Sequence, residues 1–82
     1  MTLEDLYDHL VADGCNRNDR AIALIQACIE SGIDRGPDIV RTVSRLGMNK
    51  ASVGAQLGLN TGCNPALHRW FKTDAGRYRL HP

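Results

Sequence analysis

Any chemistry in this 82-residue chain has to come from three cysteines, three histidines, ten cations and nine carboxylates. The thiols Cys15, Cys28 and Cys63 are odd in number and form no C-x-x-C pair, which argues against a disulfide framework and for reducing surroundings. Cys28 falls on an apolar helical stripe and reads as a small core residue. Cys63 and His68 are ligand-type side chains, but no second pair with matching spacing accompanies them, so no metal is expected. No serine or cysteine stands beside a motif base, and no segment pairs carboxylates. Gly54, Gly58 and Gly62 are too scattered to cradle a phosphate. The expectation is a protein that is not an enzyme and uses no cofactor.

Charge is the more informative signal. The formal net charge is +1, and the pI near 7.8 lies below the value of about 9 typical of strong nucleic-acid binders. The distribution is uneven. Up to Gly32, two basic residues stand against six acidic ones, a net of −4. From Ile33 onward, Arg35, Arg41, Arg45, Lys50, Arg69, Lys72, Arg77 and Arg79 face only Asp34, Asp38 and Asp74, a net of +5. An acidic half followed by a basic half points to an anionic partner for the second. Chance clustering on two solvated faces is the plainer alternative.

The length allows one domain, residues 1–82, and its composition of 43% hydrophobic and 23% charged residues is ordinary globular material. A chain this short buries only about 60% of its unfolded surface, which leaves little room for a deep cleft and its supporting shell. The longest apolar run, at 21–25, is far below the ~18 residues of a membrane span. The acidic N-terminus lacks the basic and apolar regions of a signal peptide. A cytoplasmic protein without membrane contact is expected.

Periodicity supplies the elements. Thr2 and Asp5 form a candidate capping box for a first amphipathic helix within residues 1–14. Its stripe is Leu3, Leu6, Tyr7, Leu10 and Val11, and Gly14 ends it. That stripe either closes the core or meets a second copy in a homodimer. A second helix starts near Asn18 or Asp19 and buries Ala21, Ile22, Ile25, Cys28 and Ile29 until Ser31-Gly32 stops it. Ile33 stands alone between turn residues, long enough only for a very short strand. Gly36-Pro37 opens a third helix that turns Ile39, Val40, Val43 and Leu46 inward and Arg41 and Arg45 outward. Gly47 ends it, and Asn49 caps a fourth helix running to about Leu57 with Val53 and Leu57 inward. Residues 68–73 and 77–81 then flank Asp74-Ala75-Gly76 as a hairpin. In that register Trp70 lies opposite Leu80 and Lys72 opposite Tyr78 on one face, with Arg69, Phe71, Arg77 and Arg79 on the other.

The segment Leu46-Gly47-Met48-Asn49-Lys50-Ala51-Ser52-Val53 resembles the turn and second helix of helix-turn-helix DNA-binding proteins. Gly47, Met48 and Val53 match the turn glycine, the apolar residue after it and the anchor of the second helix. The hairpin Arg69-Trp70-Phe71 with Gly76-Arg77-Tyr78-Arg79-Leu80 looks like the wing of a winged-helix domain, with Ile33 as its third short strand. The resemblance covers residues 17–81 and leaves the first helix as an addition. It departs from the family at Val43, where alanine is common, and at Gln56, where an apolar residue is usual and Leu57 substitutes. The implied fold is α+β and mostly helical, a winged helix of three core helices and a small antiparallel hairpin plus one N-terminal helix.

The resemblance implies a small transcriptional regulator that binds double-stranded DNA. A turn glycine lets two helices cross so that the second projects, and a projecting helix fits a major groove about 12 Å wide. Base readout then falls to Ser52 and Gln56, which hydrogen-bond base edges, and to Ala51 and Ala55, which keep the helix slim. Lys50 and the free amides around it suit a phosphate, flanked by Arg41 and Arg45 on one side and Arg69, Lys72, Arg77 and Arg79 on the wing. Trp70, Tyr78 and Leu80 are expected in the core. For Phe71, wing contact, subunit contact and partial burial under Leu67 stay open. The competing function is a protein-interaction module on the same scaffold, its basic face meeting an acidic protein.

Overall fold

The longest helix is the one the others pack on. In the computed structural model, which describes residues 2–81, the chain order is α1 (Leu3–Ala12), α2 (Arg17–Glu30), α3 (Gly36–Arg45), α4 (Lys50–Leu59), β1 (Trp70–Lys72) and β2 (Tyr78–Leu80). The result is a mostly helical α+β domain with one antiparallel hairpin. One face of α2 carries Ala21, Leu24, Ile25, Cys28 and Ile29, all buried, and the helix packs against α1, α3, α4 and β2. Ile39 and Val43 of α3, Met48 of the turn, Val53 and Leu57 of α4, and Trp70 and Tyr78 of the hairpin complete the core. Each fully buried aliphatic side chain contributes roughly 1.5–3 kcal/mol, so a domain this small depends on nearly all of them.

The helix ends explain where the elements begin. The Asn16 side chain accepts from the Asp19 amide at 2.8 Å, so the cap of α2 lies two residues before Asn18 and three before Asp19, where it was expected. Arg17 and Asn18 are exposed polar residues inside its first turn, which apolar periodicity cannot register. At the other end Gly32 takes φ +93°, and the Ile33 amide donates back to the Cys28 carbonyl at 2.9 Å. That closure fixes Ile33 as part of the helix terminus. The expected third strand does not form among the described residues: the Asp34 carbonyl accepts from the Tyr78 amide at 2.7 Å, and Arg35 makes one isolated bridge with Arg77 beside a two-stranded sheet. Ile33 instead lies half-buried against the core.

The hairpin has the expected register, with Trp70 opposite Leu80, Phe71 opposite Arg79 and Lys72 opposite Tyr78. Its strands are three residues each, shorter than the segments 68–73 and 77–81 suggested. Thr73 closes the turn from both sides, its carbonyl accepting from the Gly76 amide and its hydroxyl from the Arg77 amide. Gly76 supplies the positive φ of +79°. Trp70 is fully buried, and its Nε1 donates to the Leu57 carbonyl at 3.1 Å and to Thr61 Oγ1 at 3.0 Å. One indole thus fixes the end of α4 to the first strand. Tyr78 is buried as expected, whereas Leu80 is only half-buried. Phe71 is half-buried too, its ring 5.0 Å from that of His81 rather than under Leu67, which is exposed.

The capping box of α1 forms as expected between Thr2 and Asp5. Leu3, Leu6, Tyr7 and Leu10 lie half-buried on the core of their own chain, and Val11 is left exposed. Tyr7 reaches the turn between α3 and α4. A Cβ on Gly47 would stand 3.2 Å from its hydroxyl, and Gly47 also holds φ +117°. Glycine is required there twice over, by backbone conformation and by this approach.

Burial of Cys28 gives a direct check on α2. Desolvation pushes its thiol up to about 11, so it is protonated at neutral pH as well as inaccessible. Cys63 is exposed. Peptide mass mapping after a brief alkylation should find Cys63 modified and Cys28 intact, with Cys28 labelled only after urea unfolds the chain. Equal labelling of the two in native buffer would remove Cys28 from the core.

Candidate nucleic-acid interface

The basic half is organised around one buried carboxylate. Asp34 is only 7% exposed and sits in the short link between α2 and α3. Arg79 Nη1 donates to its Oδ2 at 2.6 Å, and Arg77 Nη1 reaches Oδ1 at 3.1 Å and Oδ2 at 3.3 Å. Both arginines lie on β2 or at its start, so a single carboxylate ties the hairpin to the beginning of α3. The hydrogen bond from Arg79 is the main reason the Asp34 carboxyl is held below its ordinary value, and Arg77 adds to it while burial opposes. Their guanidinium groups stay partly exposed, so each keeps donors facing outward. Arg77 and Arg79 are nevertheless not the free wing cations that the sequence suggested.

The other candidate phosphate contacts fall into separate places. Arg41 pairs with Asp38 one turn away on α3, whereas Arg45 meets no carboxylate among the described residues. Arg41, Arg45 and Arg77 line one open basin of about 450 Å³ together with Arg35. Arg35 and Asp34 were missed as site residues. The only sequence signal for Arg35 was the recurrence of arginine at 35, 41 and 45, and nothing in spacing shows that an isolated aspartate will be buried. Lys50 and Lys72 are exposed and lie outside this basin. The Lys72 ammonium stands 5.9 Å from the centre of the Tyr78 ring. Arg69 lines a different groove with Gln26, Asn60, His68, Leu80 and His81.

The outward face of α4 is unusually bare. Ala51, Gly54, Ala55 and Gly58 are all exposed at helical spacing, and a Cβ on either glycine would meet nothing within 4 Å. Nothing inside the described fold calls for glycine at these two positions. Ser52 and Gln56 are half-buried at the edges of this face. Gln56 is engaged at its far end, its Oε1 accepting from Asn60 Nδ2 at 3.4 Å while its carbonyl accepts from the same nitrogen at 2.8 Å. The amides near Lys50 are not all free. Asn49 Oδ1 accepts from Ala51 N at 2.8 Å and Ser52 N at 3.2 Å, because asparagine at the cap fills that role itself. A phosphate at this end would have to rely on the Lys50 ammonium.

Cys63 and His68 are not assembled as a metal site. The His68 ring lies against the backbone of Gly62, where a Cβ would stand 2.4 Å from it, and His81 Nε2 approaches the Gly62 carbonyl at 2.8 Å. Among the described residues, no group of three or more ligand-type side chains converges. Among the described residues no helix is long and apolar enough to cross a membrane. Comparison with protein-family models, with curated proteins and with solved structures finds no match for this chain.

The lowered Asp34 carboxyl fixes the sign of a pH effect. Its ionised form stabilises the fold fully above the ordinary value of 3.8, and that contribution disappears as pH falls through the lower folded value. Asp34→Asn should therefore shift the urea midpoint downward at neutral pH, and the gap to wild type should close in strong acid. A gap that persists unchanged at acid pH would mean that the carboxylate charge is not what holds β2.

Proposed function

We propose that this chain binds duplex DNA as a winged helix-turn-helix protein and acts as a small transcriptional regulator, without catalysis and without a cofactor. The observation that carries this reading is the bare face of α4. An interior glycine costs a helix about 1 kcal/mol relative to alanine. Gly54 incurs that cost, and Gly58 in the last turn a part of it, with open space where their side chains would be. A surface that approaches to backbone distance gives a reason for both, and a major groove about 12 Å wide admits such a helix closely. Ala51 and Ala55 extend this face, with Ser52 and Gln56 at its edges to contact bases. The chain order supports the reading as well. A bridge at Arg35 pairs with Arg77 beside the hairpin, where the third strand of a winged helix would lie. The phosphate contacts would be shared among Lys50, Arg45, Arg69 and Lys72 and the outward donors of Arg41, Arg77 and Arg79.

One such module buries only about 600–1,000 Å² on DNA, so useful specificity would need a second copy or a partner. A homodimer through α1 would use exposed Val11 and the outer edges of Leu3, Leu6, Tyr7 and Leu10. A protein-interaction function has its own observation in its favour. Leu59 and Leu67, at either end of the connection from α4 towards β1, are 72% and 73% exposed. An acidic protein carrying an apolar anchor would suit them and the nearby Arg69.

Titration of random duplex by fluorescence anisotropy at two salt concentrations tests the first reading. Affinity should fall steeply with salt, and Lys50→Glu with Arg45→Glu should weaken binding to every sequence alike. The double variant Gly54→Ala, Gly58→Ala should be more stable, by about 1 kcal/mol from the interior Gly54 and less from Gly58 in the last turn, yet bind more weakly. Unchanged affinity in that stabilised variant, or no binding at low salt, would sink the groove assignment. Capture of one stoichiometric protein partner, abolished by Leu59→Asp with Leu67→Asp, would then favour the interaction module.

A further inference from the structure

The basin at the start of α3 has a charge composition of its own. Its walls carry four arginines, Arg35, Arg41, Arg45 and Arg77, against two carboxylates, Asp34 and Asp38. Both Asp34 oxygens are committed to Arg77 and Arg79, and Asp38 is committed to Arg41. Arg35 and Arg45 have no carboxylate partner among the described residues. Two guanidinium groups without an ion-pair partner therefore border one open hollow of about 450 Å³, and Arg45 also lines a second groove with Glu4 and Asp8 of α1. A bound anion would bring a counter-charge to both. The Thr42 hydroxyl, on the same wall, adds a neutral donor. The Arg35 side chain gives α3 no cap hydrogen bond, which leaves the positive end of the helix dipole beside the hollow.

We propose that this basin is a phosphate-binding site, in which Arg35 and Arg45 are the principal ligands and Arg41, Arg77 and Thr42 contribute secondary contacts. A phosphate monoester carries about −1.5 to −2 charges at neutral pH, which matches the two unpaired guanidinium groups. Forked donors of arginine suit its oxygens better than the point charge of lysine. The two aspartates set the limit on affinity. Asp38 is half-exposed on the wall and repels an anion, whereas Asp34 is buried and its charge is met by two arginines. No residue of α4 lines the basin, so the site is separate from the bare helix face and does not depend on it. The phosphate belongs either to a small phosphorylated molecule, whose monoester gives this charge match, or to a nucleic-acid backbone, whose diesters carry one charge each.

Amide chemical-shift titration of the full chain with inorganic pyrophosphate tests this directly. Shifts should cluster at residues 32–45 and 77. Arg35→Ala and Arg45→Ala, both at exposed side chains, should each weaken binding about tenfold without lowering the melting temperature. Asp38→Asn should tighten it by removing the opposing carboxylate and releasing Arg41. If random duplex then displaces pyrophosphate from these residues, the backbone is the source of the phosphate. If pyrophosphate binds while duplex does not compete, the ligand is a small phosphorylated molecule. Absence of shifts in the basin at millimolar pyrophosphate, or shifts that survive both arginine substitutions, overturns the site. The α4 face is tested separately by the glycine variants, so either assignment can fail alone.

Discussion

The buried Asp34 carboxylate is the constraint on which the arrangement of the basic half depends. A hairpin with three-residue strands has too little pairing to be stable alone and needs packing on another element. Trp70 and Tyr78 supply the packing on one face, which leaves the arginine-bearing face to be tied down. Asp34 does this, through its carbonyl to the Tyr78 amide and its side chain to Arg77 and Arg79. A buried charge without partners is costly, so the pairings are obligatory once Asp34 is enclosed. The same pairings draw the start of β2 to the start of α3 and so form one wall of the basin.

A second linkage runs through the acidic half. α1 has no fully buried residue, yet it is not a detached appendage. Its Tyr7 hydroxyl approaches Gly47, and the Arg20 guanidinium of α2 stands 6.0 Å from the centre of the Tyr7 ring. The turn that sets the angle between α3 and α4 is therefore touched from below by α1. A change in how α1 packs would be transmitted to the turn, because Gly47 has no side chain to buffer the approach. The first helix thus has a defined task within the chain itself, whatever it does towards a second copy.

The elements that follow from periodicity and turn chemistry were legible in the sequence. Gly14, Gly32, Gly47 and Gly76 all take positive φ at the ends and turns where glycine was expected to do so, and the hairpin register follows from alternation around Gly76. What was not legible depends on contacts distant in sequence. Ile33 was a reasonable strand residue until the Cys28 carbonyl claimed its amide, which moved the bridge to Arg35. Arg77 and Arg79 looked free because their partner lies more than forty positions away, a separation of 43 and 45 residues. Gln56 looked like an open hydrogen-bonding side chain because spacing does not reveal that Asn60, at the end of its own helix, would turn back to it. Cap identity has a similar origin. Asn16, Asn18 and Asp19 are all competent, and Asn16 takes the role through the Asp19 amide, which leaves the buried face of the helix unchanged.

These pairings also change what the positive charge means. As a sum, the second half of the chain carries +5, but the sum does not distinguish cations that fold the protein from cations that face a partner. Arg41, Arg77 and Arg79 meet carboxylates, whereas Arg35, Arg45, Lys50, Arg69 and Lys72 do not among the described residues. Salt screens exposed charges over about 10 Å and affects less a pairing with one buried partner, such as Asp34 with the half-exposed Arg77 and Arg79. Ionic strength should therefore separate the two groups, weakening contacts made by the unpaired five before it loosens the hairpin. That ordering follows from burial rather than from charge number, and it allows a near-neutral chain to present a charged surface without the fold being salt-sensitive to the same degree.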